Sequence, residues 1–267
     1  MTLTLANGPL AARAPSTTNY EVTGPAHKLL LTDFPRRVRA TFGGQVLLDT
    51  RAAKLLHESN LLPALYVPED DIDQSLVEPT DHTTHCPFKG DASYWTVRVG
   101  DRVAENAMWA YPEPIAEAEW LRGHRALYFD RMDAWFDEDE RIEGHLRDPY
   151  HRVDVRRTSR HVVVRCGDTI LAESTRPMLL SETGLPNRYY LPADDVRGDL
   201  LVSSTTTSVC PYKGEANYWS FRDGDRTIAD VAWGYHQPLD EAARVADHRC
   251  FASSDDITVE VDGEPVR

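Results

Sequence analysis

Thr83-Thr84-His85-Cys86-Pro87-Phe88-Lys89-Gly90-Asp91-Ala92-Ser93-Tyr94-Trp95 returns 124 residues later as Thr207-Ser208-Val209-Cys210-Pro211-Tyr212-Lys213-Gly214-Glu215-Ala216-Asn217-Tyr218-Trp219. The match extends far beyond this stretch. Sliding the chain by the same offset gives 34 identities over the 101 positions from Pro25 to Arg125, without a gap. His27 meets His151, Glu58 meets Glu182, Tyr66 meets Tyr190 and Asp70-Asp71 meets Asp194-Asp195. Trp109 and Tyr111 meet Trp233 and Tyr235, and His124-Arg125 meets His248-Arg249. Two copies are too few for a stacked repeat array, which needs about three. The organisation expected is a tandem pair of homologous domains, related by a pseudo-two-fold axis. The boundaries read as a flexible tail over 1–20, a first domain over 21–140 and a second over 141–267, with the charged stretch Glu138 to Arg147 as connector.

Each copy reads as mainly β, barrel- or sandwich-like, with one short helix. Arg37 to Phe42 alternates, Gly43-Gly44 turns and Gln45 to Asp49 returns, which predicts a hairpin. Tyr94 to Val99, the turn Gly100-Asp101 and Arg102 to Trp109 predict another, repeated at Tyr218 to Trp233. Leu61 to Val67 reads as a strand stopped by Pro68, and Leu76-Val77 as a short one. Met132 to Phe136 and Ile257 to Val261 alternate as closing strands. The helix is placed from Ala116 to about Arg122 and again from Leu239 to about Ala246, each opened by acidic residues that suit a helix N-terminus.

The 267 residues carry 43 acidic against 29 basic side chains, a formal net charge of −14. That balance argues against a nucleic-acid backbone or an anionic membrane as partner, since both are met by clustered Lys and Arg. The first ten residues lack a charged segment followed by an apolar run, so no signal peptide is read, and no stretch approaches the roughly 20 apolar residues of a spanning helix. The cytoplasm is the expected compartment. Cys86, Cys166, Cys210 and Cys250 form no CxxC pair, so their spacing gives no zinc site, and free thiols are expected.

The pattern Cys-Pro-aromatic-Lys-Gly-acidic-Ala-X-Tyr-Trp, followed by Trp-X-Tyr, resembles the domain of unknown function 427 family in tandem form. The resemblance covers nearly everything from Pro25 onward and implies a small, mainly β fold. The family carries a nucleotidyltransferase label in some naming schemes. This chain has no Gly-Ser followed by paired Asp on a strand, the usual nucleotidyltransferase metal site.

Residues kept in both copies form the candidate ligand site: Glu58, Tyr66, Thr83, Cys86, Lys89, Tyr94, Trp109 and Tyr111, with Glu182, Tyr190, Thr207, Cys210, Lys213, Tyr218, Trp233 and Tyr235. A Lys fixed between a Pro-aromatic turn and a Gly can hold an anionic group as a point charge. It can equally be a solvated turn residue. Cys86 and Cys210 read as nucleophiles only if a base lowers the thiol pKa. His85 stands next to Cys86 but is Val209 in the second copy, while His124 and His248 are shared. The alternative is a packed small residue. The Asp pairs read as turn caps or as acid-base or Mg²⁺ carboxylates. The aromatic residues are either core or pocket walls. His27 and His151 read as structural.

The function expected is binding of a small polar or anionic ligand in an aromatic- and Lys-lined pocket in each copy. The alternatives are a transferase-type enzyme, nucleotidyl or Cys/Lys-dependent, and a partner-binding or structural protein. The expected partner is a small molecule, with no nucleic acid and no membrane. No cofactor and no metal is expected, and the intrachain pseudo-dimer suits a monomer.

Overall fold

A computed structural model describes residues 3, 4, 8–12, 19, 21 and 24–266. Two compact units divide the chain, Met1–Asp148 and Pro149–Arg267. The first contains β1 (Leu29–Asp33), β2 (Val38–Phe42), β3 (Gln45–Thr50), β4 (Lys54–Glu58), β5 (Ala64–Pro68), β6 (Val77–Cys86), β7 (Gly90–Val99), β8 (Arg102–Ala110), β9 (His124–Leu127), β10 (Ala134–Asp137) and β11 (Glu140–Ile142). The second contains β12 (Val153–Arg157), β13 (Val162–Cys166), β14 (Thr169–Ser174), β15 (Met178–Glu182), β16 (Arg188–Pro192), β17 (Leu201–Cys210), β18 (Gly214–Asp223), β19 (Arg226–Gly234), β20 (His248–Phe251), β21 (Ile257–Val261) and β22 (Glu264–Val266).

Each unit holds a seven-stranded and a four-stranded sheet. Their orders are β1-β4-β5-β9-β8-β7-β6 and β11-β10-β2-β3, then β12-β15-β16-β20-β19-β18-β17 and β14-β13-β21-β22. None of these sheets closes on itself, so the architecture is a sandwich of open antiparallel sheets and not a barrel. Between the two sheets of the first unit lies a core that includes Phe34, Val38, Leu48, Leu55, Val67, Val97, Met108 and Trp135.

Successive strand residues face opposite ways, so the large sheet buries a second set on its other side. There Leu56, Tyr66, Ala92, Tyr94, Tyr111 and Ala126 pack with Ala118 and Leu121. A strand covered on both faces needs adjacent apolar residues, which explains the doublets Leu55-Leu56 and Leu179-Leu180. The second unit repeats the scheme, with Leu180, Tyr190, Tyr212, Ala216 and Tyr235 under Ala242 and Val245.

The covering helix in each unit is short and of 3₁₀ type, Ala116–Leu121 and Asp240–Val245. The first breaks its helical geometry at Ala118 (φ −124°). Six residues are too few for an independent α-helix, and burial of every third or fourth side chain decides the geometry instead. Ile115 N donates to Lys89 O (3.0 Å), and Leu239 N to Lys213 O (3.1 Å), so each helix start is tied to the central motif.

The connector stretch contributes structure of its own. β11 pairs with β10 through the turn Glu138-Asp139, and Ile142 and Leu146 pack on the first core. The expected flexible tail lies for the most part outside the described residues. Of those described, Thr4 and Ala11 are buried, Asn60 N donates to Thr4 O (3.0 Å), and Ser59 Oγ donates to Leu10 O (2.5 Å). β6 and β17 form the outer edge of their sheets and are largely exposed. Their pairing slips between Pro79 and Thr83, and between Ser203 and Thr207.

Candidate functional site

The repeated stretch forms the tip of the hairpin β6–β7, with Cys86 paired to Gly90 across Pro87-Phe88-Lys89. Lys89 N donates to Cys86 O (3.2 Å), closing a turn with Pro87 in its second position, where a fixed φ is favourable. Gly90 then takes φ +106°, and a Cβ there would stand 3.2 Å from Glu113 O. Gly214 repeats this at φ +98° and 3.2 Å from Gln237 O. The glycine is required twice over, by its backbone angle and by the chain that crosses it.

This turn carries Lys89 inward instead of into solvent. Only 6% of Lys89 is exposed, and 9% of Lys213. The ammonium of Lys89 pairs with the Glu58 carboxylate at the end of β4 and lies over the Tyr111 ring (5.5 Å to the centroid). The other oxygen of Glu58 meets His27 Nε2 at 3.2 Å. In the second unit Lys213 Nζ donates to Glu182 Oε2 (2.5 Å), and His151 Nε2 meets Glu182 Oε1 (2.9 Å). His27 stacks on Phe88 (4.0 Å, 14°), and His151 lies against Tyr212 at 4.0 Å. The site in each unit is therefore a His–Glu–Lys chain, buried at its Glu and Lys, on the helix-covered face of the large sheet.

Aromatic hydroxyls and indoles surround it. Trp109 Nε1 donates to Tyr66 OH (3.3 Å), and Trp233 Nε1 to Tyr190 OH (3.2 Å). Tyr94 OH bonds Thr84 Oγ1, and Tyr218 OH bonds Ser208 Oγ, both at 2.9 Å. Trp109 also packs on the ring of exposed Tyr128 (4.6 Å), while Trp233 lies near the Arg188 guanidinium (5.8 Å). Burial pushes the Tyr66, Tyr111, Tyr190 and Tyr235 phenols above their ordinary range. They are protonated at neutral pH.

Burial pushes the Glu182 carboxyl up, but hydrogen bonds from His151 and Lys213 and the charge of both outweigh it, holding the group at about 2. A carboxylate depressed from the usual 4.5 stabilises the fold above that value and loses its contribution as pH falls toward about 2. The difference in unfolding free energy between wild type and Glu182→Gln is therefore expected to be constant above about pH 5 and to shrink between roughly pH 4.5 and 2. Urea melts of the two full chains at several pH values read this directly. A gap independent of pH would contradict the His–Glu–Lys assignment.

Of the residues predicted from sequence, Glu58, Tyr66, Cys86, Lys89, Tyr94, Trp109 and Tyr111 meet on this face, as do Glu182, Tyr190, Cys210, Lys213, Tyr218, Trp233 and Tyr235. Thr83 and Thr207 are exposed, and it is their neighbours Thr84 and Ser208 that bond the tyrosines. Two further participants, His27 and His151, were legible only as shared positions. Among the described residues the thiols of Cys86 and Cys210 find no base. His85 faces away from Cys86, as the next residue on a strand must, and meets Asp91 (2.6 Å). His124 and His248 bond backbone oxygens at Arg122 and Ala246. Among the described residues no hydrogen bond reaches Cys86 or Cys210 Sγ, and burial pushes the Cys250 thiol up to about 12.

The Asp pairs do not cap. Pro68 and Pro192 precede their 3₁₀ turns, so the carboxylates stand inside the turn and not at its start. Asp71 accepts from Thr50 Oγ1 (2.5 Å) and Asp195 from Ser174 Oγ (2.6 Å), which fastens the turn to the small sheet. Among the described residues no group of three or more His, Cys, Asp or Glu side chains is placed to hold a metal ion. No helix among them is long and apolar enough to cross a membrane.

A sequence model of the family described as Domain of unknown function (DUF427) matches residues 30–138 and again residues 154–264. A search of curated proteins finds no match.

Proposed function

We propose that this chain, which belongs to the domain of unknown function 427 family in both of its halves, binds a small polar ligand at the His–Glu–Lys chain of each unit. One observation carries the reading. A Lys ammonium has three N–H donors, and among the described residues Glu58 is the only hydrogen-bond acceptor for Lys89 and Glu182 the only one for Lys213. Buried donors are as a rule satisfied, so a nearly buried ammonium with spare donors, built twice, suits a ligand that accepts hydrogen bonds. The carboxylate already balances the ammonium, so the ligand is one with hydroxyl, carbonyl or amide groups and not a strong anion. Tyr and Trp rings supply its apolar walls.

A second reading, in which the cluster only fixes the hairpin to the sheet, is favoured by the Glu–Lys pairing itself. Thermal-shift screening separates the two. The probes are nucleosides, sugars, amides and small carboxylic acids, applied to wild type and to a variant with Lys89→Met/Glu58→Leu and Lys213→Met/Glu182→Leu. Compounds that raise the Tm of wild type and leave the variant unmoved are the expected result. The same response from both proteins would remove the binding reading in favour of the structural one.

A further inference from the structure

We propose a second ligand site, in the second unit, that takes a small organic phosphate. An open cleft of about 620 Å³ is lined by Arg157, Thr158, Ser159, Arg176, Met178, Pro192 and His248. It lies at the ends of β12, β15, β16 and β20, where Arg157 pairs with Met178 and Pro192 with His248. None of these residues belongs to the His–Glu–Lys cluster, so the site is independent of that reading.

Comparison of the units explains how the cleft arises. Thr158 N donates to Pro177 O (3.2 Å), and Phe34 N donates to Ala53 O (2.9 Å), the same backbone bond at the 124-residue offset. Phe34 is 2% exposed and packs in the first core with the Arg36 guanidinium over its ring (4.7 Å). Thr158 is much smaller, and the cleft opens at its position. The charges change with the volume. The first unit has Asp33 paired with Lys54, and Ala52, at the positions of Arg157, Met178 and Arg176.

The lining then states the ligand's chemistry. Arg157 is exposed and has no acidic partner among the described residues. Arg176 is held by Asp195 through two hydrogen bonds (2.7 and 3.2 Å), which fixes its side chain at the rim. His248 Nδ1 donates to Ala246 O (2.8 Å), so the neutral ring presents Nε2 as an acceptor, for a phosphate hydroxyl and not for an anionic oxygen. Two guanidinium groups and two hydroxyls suit a group with several anionic oxygens, and so a phosphate over a carboxylate. Met178 and Pro192 add an apolar wall beside the charged rim, which suits an organic body carried with the phosphate. In a chain of net charge −14 a cationic cleft focuses anions against the general repulsion.

Phenyl phosphate is the probe, with benzoate and inorganic phosphate beside it, titrated into the full chain by NMR with calorimetry. Phenyl phosphate is expected to shift the Met178 methyl signal, to bind more tightly than either comparison compound, and to weaken with added salt. Arg157→Met is expected to lower its affinity about tenfold or more, as loss of a charge-assisted contact does. Thr158→Phe, which copies the first unit, is expected to abolish binding. The Lys213→Met/Glu182→Leu variant is expected to bind phenyl phosphate as wild type does. No Met178 shift at millimolar probe, or wild-type affinity in Arg157→Met, would overturn the proposal. So would loss of binding in Lys213→Met/Glu182→Leu, since the probe would then occupy the other cluster.

Discussion

Lys89→Met is expected to destabilise the first unit by about 3 kcal/mol, the cost of leaving a buried carboxylate without its ammonium and with His27 alone beside it. Glu58 is 6% exposed and stands under the helix-covered face, where water cannot replace the ammonium. The removed side chain is similar in volume to Met, so the effect is electrostatic and not a cavity. Adding Glu58→Leu is expected to return stability to the wild-type level or above, since apolar replacement of a buried pair is often neutral or favourable. Lys54→Met provides the contrast. Its partner Asp33 is 80% exposed at the side chain, and the loss there is expected to stay below about 1 kcal/mol. Native-state hydrogen exchange at the β4 and β7 amides reads all three. Equal small effects for Lys89→Met and Lys54→Met would show that the Glu58 carboxylate is solvated.

Gly90→Ala is expected to cost about 1–3 kcal/mol, more than a glycine in an open turn. Two penalties coincide at this position. A φ of +106° lies where side-chain-bearing residues are strained, and the new methyl would press on Glu113 O at 3.2 Å. That oxygen belongs to backbone held by the bond from Ile115 N to Lys89 O, so it cannot simply move aside. Gly44→Ala is the control, with φ +77° and nothing within 4 Å of its Cβ. Chemical denaturation of both variants measures the difference, and equal losses would mean that the chain crossing Gly90 yields freely.

The hairpins β2–β3 and β7–β8 were legible because their alternation and their Gly-containing turns agree. β6 was not. Pro79 stands within it and reads as a strand breaker, yet it falls at the slip in pairing, where a missing N–H does no harm. β11 was hidden because three residues with two charges carry too little pattern. The depth of Lys89 was equally hidden. Lys reads as exposed, and the Glu58 that neutralises it lies 31 residues away in sequence. Only the sharing of both residues by the two copies pointed to them, and His27 and His151 carried the same signal. The choice of Thr83 over Thr84 failed for a related reason. Identity between copies favours Thr83, whereas the face of the strand selects Thr84 and Ser208, which share only a hydroxyl.

The outer strands β6 and β17 differ in the edge they present to solvent. β6 presents Glu78, Pro79, Asp81 and two histidines along its exposed edge. β17 runs Leu201-Val202-Ser203-Ser204-Thr205-Thr206-Thr207-Ser208-Val209-Cys210, without a charge or a proline, and only its slip in pairing interrupts it. Unpaired backbone on such a strand is a template for strand addition, and β-branched residues favour it. Self-association on storage or warming is thus expected to start at β17, and Thr205→Lys is the substitution that would keep the protein dispersed.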